Sequence, residues 1–170
     1  MRGTISGTLD AEDYLAAQRL HQAAANARFL KLDIGLLLLG ATIWGIARAW
    51  PGAAGWDGVG IIFIVGGAAA ICIQLLMARI VAPRLWRRHF RQQKTAQTPF
   101  EYRVDADGLH VRTAHGQAMR PWNVFHKVRQ NDRLVLLYHN DVLFEILAKR
   151  WFSDPEDIAG LLRHLPAPVR

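Results

Sequence analysis

Val59 to Ala78 is a run of 20 residues without a formal charge, and the next 16, Arg79 to Lys94, hold six Lys/Arg and no carboxylate. An apolar rod ending in a cationic collar is the pattern of a membrane-crossing helix at its cytoplasmic exit. The chain's net charge is +7, so the collar carries most of it and the remaining segments nearly cancel. With 51% hydrophobic residues spread this unevenly, the 170-residue chain divides into a membrane part and a soluble part rather than one mixed globule.

A second apolar stretch precedes the first. Ile34 to Ala47 is 14 residues without charge, and extension to Phe29 and Trp50 brings it to 22, with Lys31, Asp33 and Arg48 near the ends where long cations reach the headgroups. At about 1.5 Å per residue, 20 helical residues cover about 30 Å of hydrocarbon, so spans over 30–49 and 58–79 are expected. Between them Trp50, Pro51, Gly52, Gly55 and Trp56 break the helix and supply interfacial rings. This turn has no net charge, so the positive-inside rule puts it outside and both chain ends in the cytoplasm. Small residues at Ala41, Gly45 and Ala49 on the first span and at Gly66, Gly67 and Ala70 on the second suit close packing of the hairpin or of a homo-oligomer, and Gln74, the one strongly polar group deep in either span, is expected to bond across helices. The collar residues Arg84, Arg87, Arg88, Arg91 and Lys94 are candidates for anionic phospholipid headgroups. Because topology already requires them, no nucleic-acid partner is inferred.

Met1 to Ala27 is polar and mixed in charge, unlike a signal peptide. Within 1–28, Asp10 to Ala27 predicts a short helix capped by Asp10, with Glu12 and Asp13 in its first turn. Pro83 is expected to kink or end the second span, opening a basic linker over 83–98. From Phe100 the period changes to two. Phe100 to Val104 and Leu109 to Thr113 flank an Asp107-Gly108 turn, a turn at His115-Gly116 follows, and Gln117 to Arg120, Trp122 to Arg129, Leu134 to Tyr138 and Val142 to Ile146 read as further strands. Ser153-x-x-Glu156 then forms a capping box ahead of Ile158, Leu161, Leu162 and Leu165 at helical spacing. The expected fold class is an α+β membrane protein: a two-helix hairpin over 29–82, plus a cytoplasmic antiparallel sheet over 99–166 capped by a C-terminal helix.

The run Glu12-Asp13-Tyr14-Leu15, the paired spans, the strand pair around Asp107-Gly108, the Trp122 to Phe125 stretch and Ile146 to Phe152 together resemble the YcxB-like proteins of bacteria. That resemblance implies a pleckstrin-homology-like (PH-like) C-terminal domain, a strongly bent antiparallel sheet closed by a helix, in a protein of the inner membrane. Where family members carry Ile-Pro-Lys-Arg after the last strand, this chain has Ile146, Leu147, Ala148, Lys149 and Arg150, without the proline.

Residues with catalytic spacing are sparse. The seven histidines form no metal-ligand pattern with Cys or carboxylates, Cys72 is apolar filler, and Asp105 and Asp107 belong to a turn. No phosphate loop or nucleophile elbow is present. Neither enzyme activity nor a cofactor or metal is expected, and Gln74 alone is too little for a transporter. The reading is a non-enzymatic accessory or scaffold whose membrane-held domain binds a protein or peptide. The alternative is a sensor of anionic lipid using the collar with Lys149 and Arg150.

Overall fold

The computed structural model describes residues 4–114 and 116–166, so the turn expected at His115 lies outside the described residues. The chain divides into two units, one made of the chain up to His21 and from Trp86 onward, the other of Gln22–Leu85.

Helix α1 runs unbroken over Ala11–Ala49, joining the short helix and the first span that the sequence predicts separately. Residues 24–31, Ala-Ala-Asn-Ala-Arg-Phe-Leu-Lys, hold no Gly or Pro to stop it. Asp10 caps it as expected, its Oδ1 accepting the Asp13 N–H at 2.7 Å. A 3-10 turn at Pro51–Trp56 leads into α2, Asp57–Leu76, and a π-helical turn at Met77–Val81 passes into α3, Ala82–Gln92. Pro83 therefore does not end the helix. The Ala82 N–H reaches five residues back to Met77 O, and this wider turn relieves the crowding that a proline ring imposes on the preceding turn. Two helical stretches, Ala11–Ala49 and Asp57–Gln92, are long and apolar enough to cross a bilayer.

Within Gln22–Leu85 the closest approach is at glycines other than most of those expected. A Cβ on Gly40 would lie 2.8 Å from Gly60 O, and one on Gly60 would lie 2.7 Å from Trp44 N. Gly67 packs similarly on Asp33 and Leu37. A Cβ on Gly45 or Gly66, by contrast, would meet no other part of the described chain within 4 Å, and Ala41 is exposed while Ala70 is half-buried. Spacing on one helix reveals a small-residue stripe but not which side faces the other helix, so these positions do not line the contact within the hairpin. Gln74 does bond across the hairpin, its Nε2 donating to Asn26 O at 2.9 Å. Gly60→Leu is expected to destabilise hairpin packing by about 1–3 kcal/mol, since the clash is with backbone. Gly45→Leu and Gly66→Leu should be silent. Thermal unfolding of the three variants in detergent would check this, and equal losses would refute it.

The rest of the described chain forms two antiparallel sheets. β1 (Thr4–Gly7), β2 (Phe100–Val104), β3 (Gly108–Thr113) and β4 (Gly116–Pro121) pair in that order; β5 (Lys127–Gln130), β6 (Leu134–Tyr138) and β7 (Phe144–Ala148) form the second sheet. The predicted strand Trp122 to Arg129 is split, because Trp122–Val124 makes a 3-10 turn between the sheets, its Trp122 Nε1 donating to Asp105 O at 3.1 Å. The last strand starts later than expected. Asn140 Oδ1 accepts the N–H groups of Val142 and Leu143 at 2.9 and 2.7 Å, holding both in the turn.

Strand β1 corrects the domain boundary. The sequence places the sheet domain at 99–166, yet Thr4–Gly7 pairs with β2, Ile5 opposite Tyr102, so the unit begins upstream of the hairpin. Four residues are too few for a periodicity to show. Ile5 joins Tyr102, Val104, Leu109, Phe125, Val128, Val135, Leu137, Leu147 and Leu161 in a core between the sheets and α4, Pro155–Leu162. The cap of α4 is Asp154 rather than Ser153, its side chain accepting from Glu156 N at 2.8 Å with Pro155 in the first turn.

A second core explains why all five residues of β6 are buried. Leu134, Leu136 and Tyr138 point away from the first core and pack with Ala148 against Ala17 of α1, flanked by Ala16 and Leu20. The start of α1 is thus a layer of the sheet unit. An ion-pair clamp holds it there: the fully buried Asp13 carboxylate takes the Arg150 guanidinium, Arg133 Nη2 lies 3.6 Å away, and Arg150 Nη2 also reaches Asp10 at 3.1 Å and Thr8 O at 3.2 Å.

Candidate functional site

A groove of about 710 Å³ opens on the sheet unit. Its floor is Phe100, Tyr102 and Val111; one wall is β4, the other is β7 with Val142 and Leu143, and Leu9, Tyr14 and Gln93 close an end. Every residue of β4 is exposed, and among the described strands β4 is the outer one of its sheet, with β3 as its neighbour. Residues on the inner face of a sheet normally meet the opposite layer. Here Gly116 and Ala118, on the same face as the half-buried Thr113 and Val111 that they pair with, are too small to fill that space. An edge strand with bare backbone groups is a template for an added extended chain.

The groove is pinned where Arg120 Nε donates to Glu145 Oε1 at 2.9 Å, with His139 Nε2 at 3.2 Å from the same oxygen. Beneath it, burial drives the Tyr102 hydroxyl well above its ordinary pKa, Glu145 adding and Arg120 opposing, so the phenol stays neutral. Val142 is 77% and Leu143 60% exposed, an apolar pair at the rim. The signal that could have found them is the Val142-Leu143 dipeptide directly behind a turn, where polar residues are usual.

At the Asp107-Gly108 turn, Asp105 plays the structural part expected. Its Oδ1 accepts from Asp107 N at 3.1 Å and its Oδ2 meets His110 Nε2 at 2.8 Å. Desolvation pushes this carboxyl upward, but the Asp107 and Gly108 backbone and His110 outweigh it and hold the group below its ordinary value. Among the described residues no cluster of His, Cys, Asp and Glu is arranged to hold a metal.

The headgroup candidates separate. On α3, Arg88 and Arg91 are exposed, as are Arg84 and Lys94, while Arg87 is paired with Glu12 at 2.8 Å. Arg150 must be withdrawn: its charge is spent on Asp10 and the buried Asp13, two carboxylates that the sequence assigned only to helix capping. Lys149 is half-buried, its backbone N–H bonded to Arg133 O at 2.8 Å.

The class defined by these elements is an α+β chain with two long apolar helices and two antiparallel sheets. The family model described as YcxB-like protein matches residues 104–165, from the end of β2 through α4, and this stretch is similar to that family. No curated protein and no solved structure matches the chain.

Proposed function

We propose that this is a multi-pass protein of the bacterial cytoplasmic membrane, with both ends inside, whose PH-like domain serves as a non-enzymatic scaffold by binding an extended segment of a partner protein. The single observation behind partner binding is the groove beside the bare strand β4. The membrane reading draws support from the outward apolar surface of the hairpin, where Ile62 is 71% and Leu38 64% exposed, and from Trp50 and Trp56 exposed in the connection. A four-stranded and a three-stranded sheet followed by one helix agrees with the PH-like reading.

The groove has a direct test. A photo-crosslinking side chain at Ala118 in the full-length membrane-bound protein should give a discrete adduct with another polypeptide, and the same probe at Arg163 on α4 should not. Adducts that are absent or identical at the two positions would end the partner reading. Extraction of the chain by alkaline carbonate, or a periplasmic signal from a C-terminal reporter, would end the membrane reading.

A further inference from the structure

We propose that α1, β5 and β6 build a phosphate cradle for the headgroup of an anionic phospholipid. Lys127 and Arg129 alternate on β5 about Val128, which is fully buried in the first core, so both leave the strand on the face toward α1. Tyr138 stands opposite Lys127 in the register, and the Lys127 ammonium is 5.3 Å from its ring centre. From α1, His21 Nδ1 comes to 3.2 Å of the Tyr138 hydroxyl. Arg129 is only 8% exposed; its Nη1 donates to Leu20 O and His21 O, each at 3.1 Å, and its Nε has no partner.

What is missing is an acid. Among the described residues Arg129 is the one buried cation, and neither it nor Lys127 nor His21 has a carboxylate within ion-pair distance, whereas other cations without one, such as Arg88 and Arg91, are exposed. A buried guanidinium is ordinarily matched by an anion, and two basic side chains beside a histidine create a local positive field that no described carboxylate neutralises. Burial first, then Arg129 and Lys127, hold His21 below its ordinary pKa, and burial raises Tyr138 against the opposing Arg129, so both stay neutral hydrogen-bonding groups. Lys127 and His21 are half-exposed and form the entrance. Phosphate oxygens suit such a set because each accepts several charge-assisted hydrogen bonds. The lipid source rests on the membrane reading above, in which α1 enters the bilayer a few turns beyond His21.

The test uses the full-length chain in neutral detergent, titrated calorimetrically with dioctanoyl phosphatidylglycerol, dioctanoyl phosphatidylcholine and inorganic phosphate. Phosphatidylglycerol should bind about tenfold tighter than phosphatidylcholine, and Lys127→Gln should weaken it about fivefold, the scale of one basic residue at an anionic surface. Lys127→Arg should retain binding, and Arg163→Gln at the exposed end of α4 should change it less than about twofold, with midpoints of unfolding unaltered. Arg129 is left intact because it also braces α1. Equal binding of the two lipids, or no loss in Lys127→Gln, overturns the cradle; inorganic phosphate binding as tightly as phosphatidylglycerol overturns the lipid as its source. Carbonate extraction separates the two failures. A chain that resists carbonate but does not discriminate lipids loses the cradle alone, and one that is released loses the membrane reading first.

Discussion

A fragment of residues 99–166 is expected not to fold when expressed alone, although it holds six of the seven described strands and α4. It lacks β1, leaving β2 as an unpaired edge and taking Ile5 out of the core. It also lacks the start of α1, so the outward side chains of β6, Leu134, Leu136 and Tyr138, meet water. Exposing large apolar side chains costs about 1.5–3 kcal/mol each, so these three alone approach the whole stability of a small domain, about 5–15 kcal/mol. An unpaired β2 beside an uncovered sheet favours aggregation as well. The check is the dispersion of amide resonances: the fragment should show little, and a chimera joining residues 1–24 through a flexible linker to 86–166 should recover it. A well-dispersed spectrum from 99–166 alone would show that the upstream segment is an accessory to the fold.

Asp13→Ala should destabilise the sheet unit by about 2–3 kcal/mol, and lower its midpoint of unfolding by about 10 °C. Breaking a fully buried ion pair costs about 3–5 kcal/mol, and the lower figure applies because Arg150 and Arg133, 45% and 57% exposed, recover part of their solvation. The matched control is Arg87→Gln. Its pair with Glu12 is short, at 2.8 Å, but both partners are more than half exposed, so the loss should stay below about 1 kcal/mol. Thermal unfolding of the full-length variants in one detergent compares them, and equal shifts would mean that Asp13 does not hold α1 on the sheet.

These two expectations concern the part of the molecule that was hardest to read. Tyr14, Leu15 and Leu20 give α1 only a partial apolar stripe, which does not say which surface it covers; the partner surface, Leu134, Leu136 and Tyr138, lies more than a hundred residues away. Arg150 looked like a free cation for the same reason. Nothing near it in sequence is acidic until Asp154, and its partner Asp13 is brought to it by the fold. The groove was invisible because it is bounded by β4 and β7, which belong to different sheets. The strand pair β2 and β3, β6 itself, the Asp10 cap and the two long apolar helices were legible, since each rests on residues a few positions apart.

The two long apolar helical segments and the series of short strands after them follow from local patterns in the chain. Charge-free runs, period-two alternation and turn residues act locally, so they can be read one segment at a time. The folded chain alone reveals that Thr4–Gly7 joins a sheet, that Gly40 and Gly60 rather than Gly45 and Gly66 let the hairpin close, and that Lys127, Arg129 and His21 meet with no described carboxylate beside them. Those outcomes depend on which distant surfaces fit together, and packing complementarity between remote segments leaves no period in the sequence.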